Sequence, residues 1–238
     1  MGKVGTTTVY SHLKTQHPDL PVYHLHFMSD FWVNQKLPSL DPAFHVNIEV
    51  ARQVQQALKE QPGKRIQIIT MVREPMSREI SDIFQNWKGL FGVSSVNDLT
   101  FSRLKEYLDA HDHEYVLNWF DTEFKAWTGF DIYSVPFNKE KGYSIYHTGK
   151  ADILCMKTEA MSTCFRKAMR EFTHLDIVPV RSSNTSESKE GKQLYSELMS
   201  QYEPSPGKLD ALYNSKYVRH FYTESEIDAF RRKWSRAK

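Results

Sequence analysis

The chain has 238 residues with a formal charge of +2, of which 40% are hydrophobic and 13% aromatic. That is enough apolar material to build a core, which excludes a disordered chain, and a charge so near zero excludes general nucleic-acid binding. Two cysteines, Cys155 and Cys164, cannot make a disulfide framework or a zinc-ligand spacing, and no apolar run reaches the roughly 18 residues that span a bilayer.

The chain begins Met1-Gly2-Lys3-Val4-Gly5-Thr6-Thr7-Thr8 and runs directly into a helical stretch, Val9 to Thr15. First-turn amides have no intrahelical partner and the helix dipole favours negative charge there, so this run predicts a cradle for a phosphate or sulfate group. Lys3 adds a mobile positive charge. The order is not that of an ATP-type loop, in which lysine directly follows the last glycine. Phosphate loops in α/β proteins follow a buried strand, whereas here Gly2 comes straight after Met1. Either the first strand is supplied differently or the sequence lacks its natural start. Reduced thiols and the lack of an apolar leader stretch in Met1 to Leu20 fit a cytoplasmic protein, with the same reservation about the start.

Pro21 to Phe27 alternates apolar and polar positions and reads as a strand, which would put His24 and His26 on one face. Ala43 to Glu60 reads as a helix ended by Pro62-Gly63, and the β-branched run Ile66 to Val72 as a strand buried on both faces. Pro75 suits the first position of a helix reaching about Trp87. Helical stretches follow at Phe101 to Ala110 and Glu114 to Thr128, then a strand-rich region from Tyr143 to Met156. Thr158 is placed to cap a helix bearing Met161, Phe165 and Met169, and Thr223-x-x-Glu226 forms a capping box for a last helix. Strands alternating with helices predict one α/β domain over residues 1–238, with a central, mainly parallel sheet flanked by helices.

Arg73 stands where the buried strand ends, and Ser81 lies in the second turn of the next helix. Strand ends and helix starts share one rim in such folds, so the two can grip one phosphate; Arg73 pairing with Glu74 or Glu79 is the structural alternative. His24 and His26 suit a general base near neutral pH, and satisfied core or surface histidines are the alternative reading. No third Cys, His or carboxylate stands at ligand spacing beside them, so no metal is expected there. Trp87, Trp119, Trp127 and Tyr133 are candidates for a sugar-stacking surface, or else core residues.

Together the two anion motifs resemble the nucleotide-binding halves of sulfotransferases that use 3′-phosphoadenosine 5′-phosphosulfate (PAPS). In that superfamily a P-K-x-G-[ST]-[ST]-type loop holds the 5′-phosphosulfate, and an Arg followed eight residues later by a Ser holds the 3′-phosphate. Gly2 to Thr8 matches the first with Gly in place of Pro, and Arg73 and Ser81 match the second in spacing. Tyr23-His24-Leu25-His26 is similar in form to the catalytic segment of glycosaminoglycan 2-O-sulfotransferases. The chain looks most like bacterial carbohydrate sulfotransferases of the group labelled capsular polysaccharide synthesis proteins, extending to Trp119 to Phe124 and His220 to Thr223.

The resemblance implies a P-loop-like three-layer fold with its first strand truncated, and sulfuryl transfer from PAPS to a carbohydrate hydroxyl without a metal. Gly2, Lys3, Val4, Gly5, Thr6, Thr7 and Thr8 would hold the phosphosulfate, and Arg73 and Ser81 the 3′-phosphate. Arg181 and Asn184 would belong to a loop over the adenosine or its 3′-phosphate, with an exposed linker as the alternative. Lys3 would stabilise developing charge, and His24 or His26 would take the proton. A non-catalytic nucleotide-binding protein of a polysaccharide pathway is the alternative. A P-loop kinase is disfavoured by the Lys-before-Gly order and by the lack of an evident magnesium carboxylate.

Overall fold

A computed structural model describes residues 1–36, 45–177 and 191–236, without the side chains of Lys36 and His45. In chain order the described elements begin α1 (Thr6–Gln16), α2 (His45–Glu60), β1 (Ile66–Val72), α3 (Pro75–Phe91), α4 (Phe101–Ala110) and α5 (Glu114–Trp119). They continue α6 (Lys125–Thr128), β2 (Tyr143–His147), β3 (Ala151–Lys157) and α7 (Met161–Thr173). The last four are α8 (Lys192–Gln201), α9 (Pro206–Tyr213), α10 (Lys216–Phe221) and α11 (Glu224–Ser235). Two compact units result, Met1–Val72 with Asn118–Val180, and Arg73–Leu117 with Arg181–Lys238.

The first unit carries the sheet, ordered β1-β3-β2. β1 runs parallel to β3, with Ile69 opposite Leu154, and β2 runs antiparallel to it, with Ile145 opposite Leu154. Ile153, Leu154, Cys155 and Met156 of the central strand are fully buried, as a continuous apolar run requires. Among the described residues the sheet is therefore small and mixed, in place of the mainly parallel central sheet expected.

The strand expected at Pro21 to Phe27 is not formed. Pro21 has no amide proton, the Val22 amide turns back to Leu20 O, and from His26 onward backbone groups are held by side chains instead of a neighbouring strand. Asn47 Oδ1 accepts from His26 N at 3.2 Å, and Trp119 Nε1 donates to His26 O at 3.2 Å. Glu123 then accepts from the amides of Met28 and Ser29 and from the Ser29 hydroxyl. The apolar–polar alternation has no strand ladder behind it, and of the segment only Phe27 is buried, while Tyr23 is 52% exposed.

Thr158 does not cap α7, whose N-cap is Ala160. Its hydroxyl is shared between the carbonyls of Val4 and Val72, and its amide donates to Val72 O at 2.8 Å. The end of β1 and the Gly-Lys loop are thereby tied to the residue following β3.

In the second unit, Glu74 caps α3 by accepting from the amides of Met76 and Ser77, both at 2.8 Å, and Pro75 occupies the first turn. The Tyr213 hydroxyl donates to Glu74 at 2.6 Å and Trp234 Nε1 at 3.4 Å. One buried carboxylate thus joins α3, α9 and α11. The α3 helix continues past Trp87 to Phe91, with a non-helical Asn86 and Gly92 closing it at φ 64°. The capping box of α11 forms as expected, and Ile227 and Trp234 are its buried residues.

Candidate functional site

The Gly-Lys loop and the histidine pair lie in the first unit and meet. Gly5 precedes α1 at φ 92°, and Lys3 stands at φ 66°, a left-handed conformation that a side chain adopts only at a cost. An ideal Cβ on Gly5 would lie 3.3 Å from Met71 Cε and 3.6 Å from Met161 Sδ. Glycine therefore provides both the backbone turn and the close approach to the sheet. Val4 is fully buried and Gly2 buried, whereas Thr6 and Thr8 are half-buried and Thr7 is exposed. The Thr8 amide donates to Gly5 O at 3.1 Å. Amides of the first helical turn earlier than this have no carbonyl to bond within the helix.

Thr6 Oγ1 lies 3.0 Å from His24 Nε2. The ring of His24 stacks on Tyr10 with centroids 5.5 Å apart and meets the His26 ring edge-on at 4.8 Å. The expected adjacency of the two imidazoles is present, although the backbone that produces it is not a strand. Burial lowers the His24 pKa from its ordinary value, and nearby positive charge that includes Lys3 lowers it further. At neutral pH this imidazole is unprotonated, the form a general base needs.

Arg73 and Ser81 belong to the second unit. The Arg73 backbone is fixed on both sides by Tyr217, whose hydroxyl accepts from Arg73 N and donates to Arg73 O, each at 3.0 Å. Ser81 is half-buried in the second turn of α3. Both carboxylates offered as alternative partners of Arg73 also bond within the second unit. Glu74 caps α3 as described, and Glu79 pairs with Arg78 at 2.7 Å. Arg181 and Asn184 lie outside the described residues. Trp119 is 6% exposed and tied to the His26 carbonyl, so it belongs to the core of the first unit and offers no stacking face.

One cluster escaped the sequence reading. Glu79, His111 and His113 lie together in the second unit, with one ligating atom from each within 4.8 Å of the others. His111-x-His113 has the same spacing as His24-x-His26 and was a visible signal, but Glu79 is too distant in sequence to be joined to it by spacing. Burial would raise the Glu79 carboxyl, yet the hydrogen bond from His111 and the charge of Arg78 hold it down at about 2.

The described residues define a mixed α/β protein in which no helix is long and apolar enough to cross a membrane. The chain belongs to the family described as "Putative capsular polysaccharide synthesis protein", whose model matches residues 95–223, more than half of its length. No curated protein and no solved structure matches it.

Proposed function

We infer that this protein transfers a sulfuryl group from PAPS to a hydroxyl of a polysaccharide. Family membership supports the polysaccharide side of this reading. The 3.0 Å approach of the Thr6 hydroxyl to His24 Nε2 carries the transfer side, because it puts a neutral imidazole at the mouth of a helix-start anion cradle.

In this mechanism the phosphosulfate lies against the loop from Gly2 to Thr8, with Lys3 beside the bridging oxygen. The resemblance to the PAPS-dependent enzymes assigns the 3′-phosphate to Arg73 and Ser81. On donor binding the Thr6 hydroxyl turns to a sulfate oxygen and frees His24 Nε2. The acceptor oxygen attacks sulfur, its proton passes to His24 or His26, and the bond from sulfur to the bridging oxygen breaks. The electron pair leaves with the 5′-phosphate of 3′-phosphoadenosine 5′-phosphate, where Lys3 offsets the charge.

The matched segment 95–223 contains none of Lys3 to Thr8, His24, His26, Arg73 or Ser81. This keeps a second reading in play, a nucleotide-binding protein of a polysaccharide pathway without transfer activity. Incubation of the full chain with PAPS labelled in its sulfur and a panel of capsular polysaccharides separates the two. Label in the polysaccharide supports transfer. Donor binding without label in any acceptor supports the second reading.

A further inference from the structure

Glu79 lies one turn into α3, His111 closes α4 as its C-terminal cap, and His113 stands just ahead of α5. His111 Nε2 is 3.2 Å from Glu79 Oε2, and His113 Nδ1 is 4.0 Å from Glu79 Oε1. Tetrahedral ligands at about 2.1 Å from one ion stand roughly 3.4 Å from one another. The three ligand atoms here lie within 4.8 Å of one another, so binding an ion would draw them closer together.

His113 distinguishes this cluster from an ordinary buried ion pair. Its side chain is 1% exposed, and neither ring nitrogen has a hydrogen-bond partner among the described residues. An imidazole held in the interior with both nitrogens unsatisfied has lost its water without replacement. A metal ion would satisfy the nitrogen that faces Glu79.

The loop carrying both histidines is fixed from outside. Lys208 Nζ donates to the carbonyls of Leu108, Asp109 and His111, and the Tyr107 ring stacks on His111 at 5.3 Å. Arg78 takes Glu79 Oε1 at 2.7 Å and leaves Oε2 directed at His111. The His111 side chain is 26% exposed, which gives an ion a way in. Two imidazoles and one carboxylate suit a borderline metal, whereas magnesium and calcium prefer oxygen ligands throughout.

We propose that Glu79, His111 and His113 bind a divalent transition-metal ion of the zinc type, with a fourth position open on the His111 side. Arg78 and Lys208 place positive charge nearby, so the expected affinity is weaker than that of a structural zinc site.

The test uses the full chain, stripped with chelator and titrated with ZnCl₂ by calorimetry and with CoCl₂ by visible absorption. One ion per chain and a cobalt ligand-field band are expected. Glu79→Gln and His111→Ala should each weaken zinc binding by more than the roughly 10–100-fold typical of outer-sphere partners. His113→Ala should do the same, and if that buried variant fails to fold, the other two decide. Absence of stoichiometric zinc binding, unchanged affinity in both Glu79→Gln and His111→Ala, or equal affinity for MgCl₂ would overturn the proposal.

Discussion

Thr6 and His24, eighteen residues apart in sequence, meet at 3.0 Å where α1 begins. This contact couples the group that would greet an incoming anion to the group that would accept a proton. Replacing both His24 and His26 by Gln should therefore reduce kcat for sulfuryl transfer by about 10²–10⁴-fold, the usual contribution of a positioned base. Calorimetric affinity for 3′-phosphoadenosine 5′-phosphate should stay close to that of the parent chain. Normal turnover by the double variant would remove the base from this account.

The lowered pKa of His24 has a definite pH signature. As pH falls below the ordinary imidazole value of about 6.5, the unfolded chain takes up a proton at this residue before the folded chain does. Stability from the neutral, buried ring is present above that value and is lost as pH falls toward the folded pKa. The parent chain should thus lose more Tm between neutral and mildly acid pH than His24→Gln, as thermal unfolding at a series of pH values would show. Transfer activity should persist below the pH at which an unperturbed histidine would protonate.

Gly5→Ala introduces a Cβ at φ 92° with Met71 Cε only 3.3 Å away. The left-handed conformation alone costs a residue with a side chain about 1–2 kcal/mol. For a chain of this size that corresponds to a fall in Tm of roughly 2–8 °C, measurable by differential scanning fluorimetry. Donor binding should weaken as well, since alanine disfavours the left-handed turn that shapes the loop.

The elements read most securely from sequence were those whose determinants are local. The helix at Phe101–Ala110 has the expected bounds, the Thr223–Glu226 box forms, and Pro75 opens α3 where its fixed φ does no harm. Ile66 to Val72 is a strand, as its β-branched run implies. What escaped was set by distant partners. Pro21 to Phe27 alternates as in a strand, but Asn47, Trp119 and Glu123 take backbone groups that a neighbouring strand would have taken. Thr158 was placed to cap a helix, and only the fold reveals Val4 and Val72 carbonyls within its reach. Glu79 and His111 were individually visible, and only packing joins them.

Thr158→Val removes a hydroxyl that ties the Gly-Lys loop to the end of β1. Loss of one buried hydrogen bond of this kind costs about 1 kcal/mol. Because Val4 lies within the loop, donor affinity should drop along with stability. A Tm loss with donor affinity unchanged would mean that the loop is held by other contacts.

Glu74→Ala strips the N-cap of α3 and leaves the Tyr213 hydroxyl and Trp234 indole without their shared acceptor. A destabilisation of about 2–4 kcal/mol is expected from the lost cap and the stranded buried donors. Glu74→Gln keeps the volume and one acceptor oxygen, so its loss in urea-denaturation midpoint should be smaller.

Calorimetric titration of the full chain with 3′-phosphoadenosine 5′-phosphate, alongside ATP with magnesium, tests the sulfotransferase reading most directly. The account predicts one molecule of the bisphosphate bound per chain, at least about tenfold more tightly than ATP, a margin of roughly 1.4 kcal/mol, with that preference abolished in Arg73→Ala. Equal or tighter binding of ATP, or no binding of the bisphosphate, would contradict it.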